Sequence, residues 1–278
     1  MTSSTNPLPL ADLRGTLVLA GAGKMGGAML TGWLARGLEP KRVVVIDPFA
    51  PDAIKALAMT GVRLNPEANS IGHVETLVIA VKPQMFREAG PALRELAGSA
   101  LVVSIMAGAT IAAISEVCGG RVVRAMPNTP AAIGRGITVA VAAGDVSAEQ
   151  RDTADALLRA TGSVEWIDDE SLMDAVTALS GSGPAYVFLL AEALAEAGTK
   201  AGLPADLADR LARATVAGAG ELIARSGTEP ATLRKNVTSP NGTTAAALAV
   251  LMNEDNGFTP LLTEAVAAAA KRSRELAG

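Results

Sequence analysis

Between Thr16 and Ile167 the chain alternates short, β-branched apolar runs with longer stretches whose apolar residues recur at helical spacing, the pattern of βαβ units in a parallel sheet. The runs predict strands at TLVLA (16–20), RVVVI (42–46), TLVIA (76–80), LVVSI (101–105), RVVRA (121–125), ITVAVA (137–142) and SVEWI (163–167), with a weaker one at VRL (62–64). Ser147 followed by Gln150 predicts a capping box and a helix running to Ala160. After Ile167 the strand pattern stops. From Asp169 the chain is rich in Ala and Leu at helical period, broken by SGSGP (180–184), AGLP (201–204), SGTEP (226–230) and SPNG (239–242). Those breaks delimit several helices, two of them long, and no strand. The expected organisation is a flexible N-terminal tail over 1–15, a doubly wound α/β domain over 16–168 and an all-α domain over 169–278.

Composition narrows the function classes. Of the 278 residues 49% are hydrophobic but only 3% aromatic, so the core must be close-packed Ala, Val, Leu, Ile and Met. The net charge is −4 with no dense Lys/Arg block, which leaves nothing to track a nucleic-acid backbone or an anionic membrane. Cys118 and His73 are the only residues of their kinds, which excludes an intramolecular disulfide, a CxxC redox pair and a His-based metal cluster and suits a reducing, cytoplasmic location. MTSSTNPLPLADLRG lacks an apolar signal core, and no later apolar run reaches the length of a membrane span. The expectation is a soluble protein without metal, membrane or nucleic-acid partner.

Gly21, Ala22, Gly23, Lys24, Met25 and Gly26 follow the first strand and open a helix. Glycines there allow a tight turn, close approach to a pyrophosphate and close helix packing, the dinucleotide fingerprint of a Rossmann-like domain. Asp47 ends the second strand about 20 residues on, where an acidic side chain binds ribose hydroxyls and repels a 2′-phosphate. This favours NADH over NADPH, with Lys24 and Arg42 able to soften the preference. Ala80, Val81, Lys82 and Pro83 end one strand, and Met126, Pro127 and Asn128 end another, at the crevice where doubly wound sheets bind ligands. Both segments read equally well as structural turns. The SGSGP segment, with Pro184 in the first turn of a new helix, suits close approach of a ligand or of a neighbouring helix.

Ser239, Pro240, Asn241 and Gly242 read as a turn, and Thr243 or Thr244 as the cap of the helix that follows. Its free amides, surrounded by hydroxyls, would suit a small carboxylate; a capped helix without a guest is the alternative. His73 lies in a connection far from these motifs and reads as structural or exposed. Cys118, between Val117 and Gly119 with no nearby base, reads as a small hydrophobe.

GAGKMGGAM, AVKPQ, RAMPNTPA, ALSGSGPAYVF and NVTSPNGTTAAAL, in this order, resemble the 1-pyrroline-5-carboxylate reductase family over almost the whole chain beyond the tail. Asn241 departs from the Gly more usual in the family, but Asn tolerates the left-handed conformation. The resemblance implies reduction of a carboxylated cyclic imine to L-proline by hydride transfer from NADH or NADPH. It implies pyrophosphate held at Gly21 to Gly26 and nicotinamide bordered by the loops at 80–83 and 126–128. Ser239 and the amides near Gly242 to Thr244 would hold the substrate carboxylate, with the Thr244 hydroxyl at the imine nitrogen. It further implies a homodimer through the helical domains, often five dimers in a ring, with each pocket shared between two subunits. Reduction of another cyclic imine or a 2-oxo acid, and noncatalytic sensing of NAD(P), are the competing expectations.

Overall fold

The computed structural model describes residues 8–277. Eight strands form one sheet: β1 (Thr16–Ala20), β2 (Val43–Ile46), β3 (Arg63–Leu64), β4 (Val74–Ile79), β5 (Leu101–Ser104), β6 (Arg121–Met126), β7 (Gly136–Ala142) and β8 (Gly162–Trp166). Their order is β3-β2-β1-β4-β5-β6-β7-β8. Every predicted run holds a strand, with ends moved by at most two residues. The helices are α1 (Lys24–Ala35), α2 (Asp52–Leu57), α3 (Pro83–Ala97), α4 (Ile111–Cys118), α5 (Ala148–Arg159), α6 (Met173–Val176), α7 (Gly183–Lys200), α8 (Ala205–Ser226), α9 (Pro230–Asn236), α10 (Thr243–Leu251) and α11 (Phe258–Ala277). Three helices, α7, α8 and α11, are long, one more than the breaks in the sequence suggest.

Strands β1 to β6 run parallel, but β7 is antiparallel to β6, pairing Val123 with Ala142 and Met126 with Val139. This corrects the expectation of a wholly parallel sheet. A parallel return needs a crossover of a dozen or more residues, whereas residues 127–135 hold only the five-residue 3-10 helix Thr129–Ile133.

Helices cover both faces because the strands are apolar on both. On one face Met29, Leu30 and Trp33 of α1 and Leu157 and Leu158 of α5 pack with Leu17, Leu19, Val43, Val45 and Val123. On the other, Phe86 and Leu93 of α3 and Ile114 and Cys118 of α4 pack with Val18, Leu77, Ile79, Val102 and Val122. The buried Trp33 indole N–H donates to Leu157 O at 2.8 Å, so its ring fills the core with its one polar atom satisfied. Ser147 and Gln150 form the expected capping box at α5.

The chain divides into two compact units. The first holds the sheet, the residues up to Gly181 and the end of α11 from Ala270; the second is Ser182–Ala269. Residues 169–181, helical in composition, pack with the sheet because Glu170 pairs with Arg124 of β6 and Ser180 accepts from Asn128. Part of the predicted tail is also docked: Leu10 and Leu13 are buried in the core and Leu13 O accepts from Arg42. The tail's residues 1–7 lie outside the described residues.

The second unit is a small-residue assembly. Ala208 and Ala212 of α8 are buried, and Gly198 of α7 lets Ala208 approach so closely that a Cβ at 198 would lie 3.3 Å from it. Many large apolar side chains of this chain remain exposed, among them Val187, Phe188, Leu189, Leu222, Ile223, Leu261 and Leu262. Among the described residues one helical stretch, Glu170–Lys200, is long and apolar enough by length and composition to cross a membrane, contrary to the expectation that no run reaches that length. It contains a π turn at Thr177–Gly181, a bend at Ser182 and the charged Glu170, Asp174, Glu192, Glu196 and Lys200.

Candidate functional site

Because β1, β2, β4 and β6 are parallel, the chain leaves all four at the same edge of the sheet. That topology gathers Gly21 to Gly26, Asp47, Ala80 to Pro83 and Met126 to Asn128 along one edge, though they are scattered over a hundred residues of sequence. Strand β1 lies between β2 and β4, so the connections on its two sides diverge and leave a crevice at its carboxyl end.

The glycine-rich turn divides its labour. Gly21 has φ +91°, and a Cβ on it would lie 2.7 Å from Ala80 O, so backbone conformation and the neighbouring strand both require glycine. A Cβ on Gly26 would run into Gly21 O and press on Ala80, which fixes the approach of α1 to the sheet. Gly23 is different: its φ is −64°, and no heavy atom lies within 4 Å of a Cβ built there. The chain itself gives no reason for glycine at 23, and room for a ligand does. Gly23 is also the N-cap of α1 and supplies no side-chain cap, leaving the helix amides for an anion. Ala22 is buried, Lys24 is exposed and Met25 half-buried.

Asp47 follows β2 directly. Its Oδ2 accepts from the Ala22 N–H at 2.7 Å and its Oδ1 from the Phe49 N–H at 2.8 Å. The carboxylate is thus held at the glycine-rich turn by two backbone amides. Its main chain is held too, by Asn65: Oδ1 accepts from Asp47 N–H and Nδ2 donates to Asp47 O, each at 2.8 Å. Asn65 is not among the site residues expected from the sequence, although an Asn at the end of a weak strand and before Pro66 is a turn signal. Nor is Phe49, which is 83% exposed beside Asp47.

After β4, Lys82 is the N-cap of α3 and Pro83 its first residue, so Pro83 acts as a helix starter; both are exposed. After β6, Pro127 is buried and Asn128 is a tether: its Nδ2 donates to Ser180 O at 3.2 Å and its Oδ1 accepts from Ile137 N–H at 3.0 Å. Met126 reaches the same segment, since a Cβ on Gly181 would lie 2.6 Å from Met126 Cε. Below this loop the buried Arg124 pairs with Glu170 Oε1 at 2.9 Å, and that oxygen also accepts from Ile111 N–H, the first amide of α4.

In the second unit, Gly242 N–H donates to Ser239 O at 3.1 Å, with Pro240 at the first central position and Asn241 at φ +58°. This is the arrangement of a type II turn, which needs a left-handed residue where Asn241 stands. The helix cap is Gly242, not Thr243 or Thr244: Gly242 is extended and α10 begins at Thr243 with no side chain bonded to its amides. The turn closed by Gly242 N–H on Ser239 O leaves Gly242 extended with its carbonyl the first to accept a helical bond; a Cβ on Gly242 would overlap Ser239 Oγ, so the serine hydroxyl lies against the backbone where the helix starts. The first intrahelical bond comes from Ala246 to Gly242 O, leaving the amides of Thr243, Thr244 and Ala245 ahead of it. Thr243 and Ser239 are exposed and Thr244 is half-buried.

The remaining candidates stand apart. His73 is exposed, just before β4 at the opposite edge of the sheet from the glycine-rich turn, with Glu75 at 3.5 Å. Cys118 is 1% exposed, and burial pushes its thiol up to about 11, with Arg94 opposing weakly. A cavity lined by Thr16, Thr76, Leu101 and Arg121 also lies at that opposite edge, away from the crevice.

Comparison with known proteins gives a consistent result. A family model for pyrroline-5-carboxylate reductase dimerisation matches residues 170–276, and one for coenzyme F420-dependent NADP oxidoreductase matches 16–108. The chain is 42% identical to pyrroline-5-carboxylate reductase of Pseudomonas aeruginosa, covering 94% of this chain and 96% of that one. It is 39% identical to the reductase of Pisum sativum, covering 97% and 98%. Among solved structures, a pyrroline-5-carboxylate reductase from Coxiella burnetii superposes with a TM-score of 0.87 at 33% identity, covering 95% of this chain and 99% of that one. The Plasmodium falciparum enzyme with NADP bound does so at 0.78 and 29%, covering 95% and 99%.

Proposed function

The chain belongs to the pyrroline-5-carboxylate reductase family, and from this premise we propose how its residues divide the reduction of 1-pyrroline-5-carboxylate to L-proline by NAD(P)H. The observation that carries the substrate assignment is the start of α10, where three amides lie ahead of the first helical bond in a segment that also carries the hydroxyls of Ser239, Thr243 and Thr244. Amides and a helix dipole favour a carboxylate, and neutral hydroxyls add donors without a fixed charge. Ser239, Asn241 and Gly242 form the turn that presents them.

Gly21 to Gly26 would hold the pyrophosphate over the space at Gly23, and Asp47 the adenosine ribose. Phe49 offers the purine an exposed aromatic face. Ala80 to Pro83 and Met126 to Asn128 would border the nicotinamide. The cofactor, when bound, supplies the hydride. The imine nitrogen is basic, and once protonated its carbon is an electrophile, so the chain's task is to position the ring and keep the nitrogen proton in place. The Thr244 hydroxyl would accept that proton's hydrogen bond or relay it to water; it is too weak an acid to act as a general acid. Neither His73 nor Cys118 is needed.

The match to a dimerisation family over 170–276 supports burial of the second unit's exposed apolar side chains against another copy. In this reading residues 16–168 bind the dinucleotide and 169–278 the substrate and the partner subunit. NADH is used at least as well as NADPH because Asp47 repels a 2′-phosphate. A ring of five dimers and a cytoplasmic location belong to the same proposal, on the family resemblance and the single cysteine. The deciding experiment follows NADH and NADPH oxidation with 1-pyrroline-5-carboxylate beside other cyclic imines and 2-oxo acids. Turnover confined to the carboxylated imine is expected; binding without turnover, or preference for a 2-oxo acid, refutes the assignment.

A further inference from the structure

Asn65 does two things that few other residues do together. Its backbone is left-handed, at φ +46°, a conformation that Asn tolerates better than most side chains. Its side chain meets both main-chain polar groups of Asp47, accepting from N–H and donating to O. Strand β3 pairs with β2 only as far as Leu64 with Val45, and Asn65 N–H then donates to Val45 O. Past Ile46, where β2 ends, no residue of β3 is left to face Asp47. The Asn65 amide takes the place of the missing peptide group, continuing the ladder by one rung with a side chain. That rung ends at the residue whose carboxylate is held by Ala22 and Phe49.

We propose that Asn65 is a positioning residue for cofactor discrimination, acting through Asp47. It pins the Asp47 backbone from one side while Ala22 N–H and Phe49 N–H hold the carboxylate, so the charge stays where a ribose 2′-hydroxyl is welcome and a 2′-phosphate is not. Without the amide, Asp47 N–H loses its acceptor and Asp47 O keeps only the Ala50 N–H, so the carboxylate is held less firmly at the turn and spends more time toward solvent, where water weakens its repulsion. The proposal rests on the ribose assignment of Asp47.

The test uses equilibrium binding rather than turnover: calorimetric titration of the full-length protein with ADP-ribose and with its 2′-phosphate. The readout is the ratio of the two affinities. Asn65→Gly keeps the left-handed backbone and removes the amide; the ratio should fall toward the 2′-phosphate by about three- to tenfold, the scale of one or two exposed hydrogen bonds. Asn65→Ala also removes the amide without adding a charge beside Asp47, and should lower the ratio as well, which guards against an effect peculiar to glycine. In an Asp47→Ser background Asn65→Gly should change the ratio less than twofold, because the group it positions is gone. If Asp47→Ser shifts the ratio but Asn65→Gly weakens both ligands equally, Asn65 is only structural and the proposal fails while the ribose assignment stands. Additive shifts in the double variant also overturn it. If Asp47→Ser leaves the ratio unchanged, the ribose assignment fails and takes this proposal with it.

Discussion

The Ala22 N–H donates to Asp47 Oδ2 across 2.7 Å, joining the middle of the glycine-rich turn to the end of the neighbouring strand. Ala22 is fully buried, so its amide depends on this carboxylate for a partner. On the function proposed above, Asp47 has two roles, one within the protein and one toward a ribose.

Substituting Asp47 should expose both. Asp47→Ser is expected to shift preference toward NADPH by about 1–2 kcal/mol in kcat/KM, the scale of a hydrogen bond to a charged group. It should also lower stability by about 1–2 kcal/mol, since Ala22 N–H loses its acceptor. Initial rates with both cofactors and a thermal melt separate the effects. A melt shift with an unchanged cofactor ratio leaves Asp47 purely structural.

At the start of α10, Ser239→Ala and Thr244→Ala should each lower kcat/KM by about 1–3 kcal/mol with NADH affinity nearly intact. Loss at Ser239 should raise KM for the imine, whereas loss at Thr244 should also reach kcat. Gly242→Ala should resemble Ser239→Ala, because its Cβ displaces Ser239 Oγ. His73→Ala should do little; a folded His73→Ala enzyme without turnover contradicts the assignment of proton handling to Thr244.

The family resemblance implies a pocket shared between two copies, and complementation measures it. A Gly23→Trp chain and a Thr244→Ala chain, each nearly inactive alone, should regain about a quarter of parental activity when co-expressed and randomly paired, because each mixed dimer has one intact site. Mixed dimers confirmed by mass but without recovery place each site within one chain.

Cys118 predicts an alkaline weakness. Its thiol ionises near 9 when exposed and near 11 in the fold, so above pH 9 the unfolded chain releases a proton that the native one keeps. Stability from this group is complete below about pH 9 and declines as pH rises toward 11, by about 1–2 kcal/mol. Chemical denaturation of the parent and of Cys118→Ala at pH 8 and pH 10.5 checks it. The variant should lose less stability over that interval; equal losses exclude the thiol.

The strands were legible because each is a short β-branched run buried on both faces, and a run such as Val43-Val44-Val45 leaves no polar face to satisfy elsewhere. Gly21 and Gly26 were legible for a similar reason: contacts with Ala80 and with each other make their lack of a side chain a local necessity. Asn241 was legible as well, since a left-handed turn position admits few side chains and Asn is one of them.

The direction of β7, the cap at Gly242 and the pairing of Asn65 with Asp47 were decided only in three dimensions. Apolar runs do not encode strand direction, so β7 reads as any buried strand until the short path from Met126 to Gly136 turns it round. Thr243 and Thr244 have the chemistry of caps, but the hydrogen-bonded turn from Ser239 to Gly242 leaves Gly242 extended and starts the helix at the next residue. Asn65 and Asp47 are 18 residues apart and share no local pattern. They meet because β3 stops one residue before the partner strand does, leaving two backbone groups that the folded chain satisfies with the nearest amide.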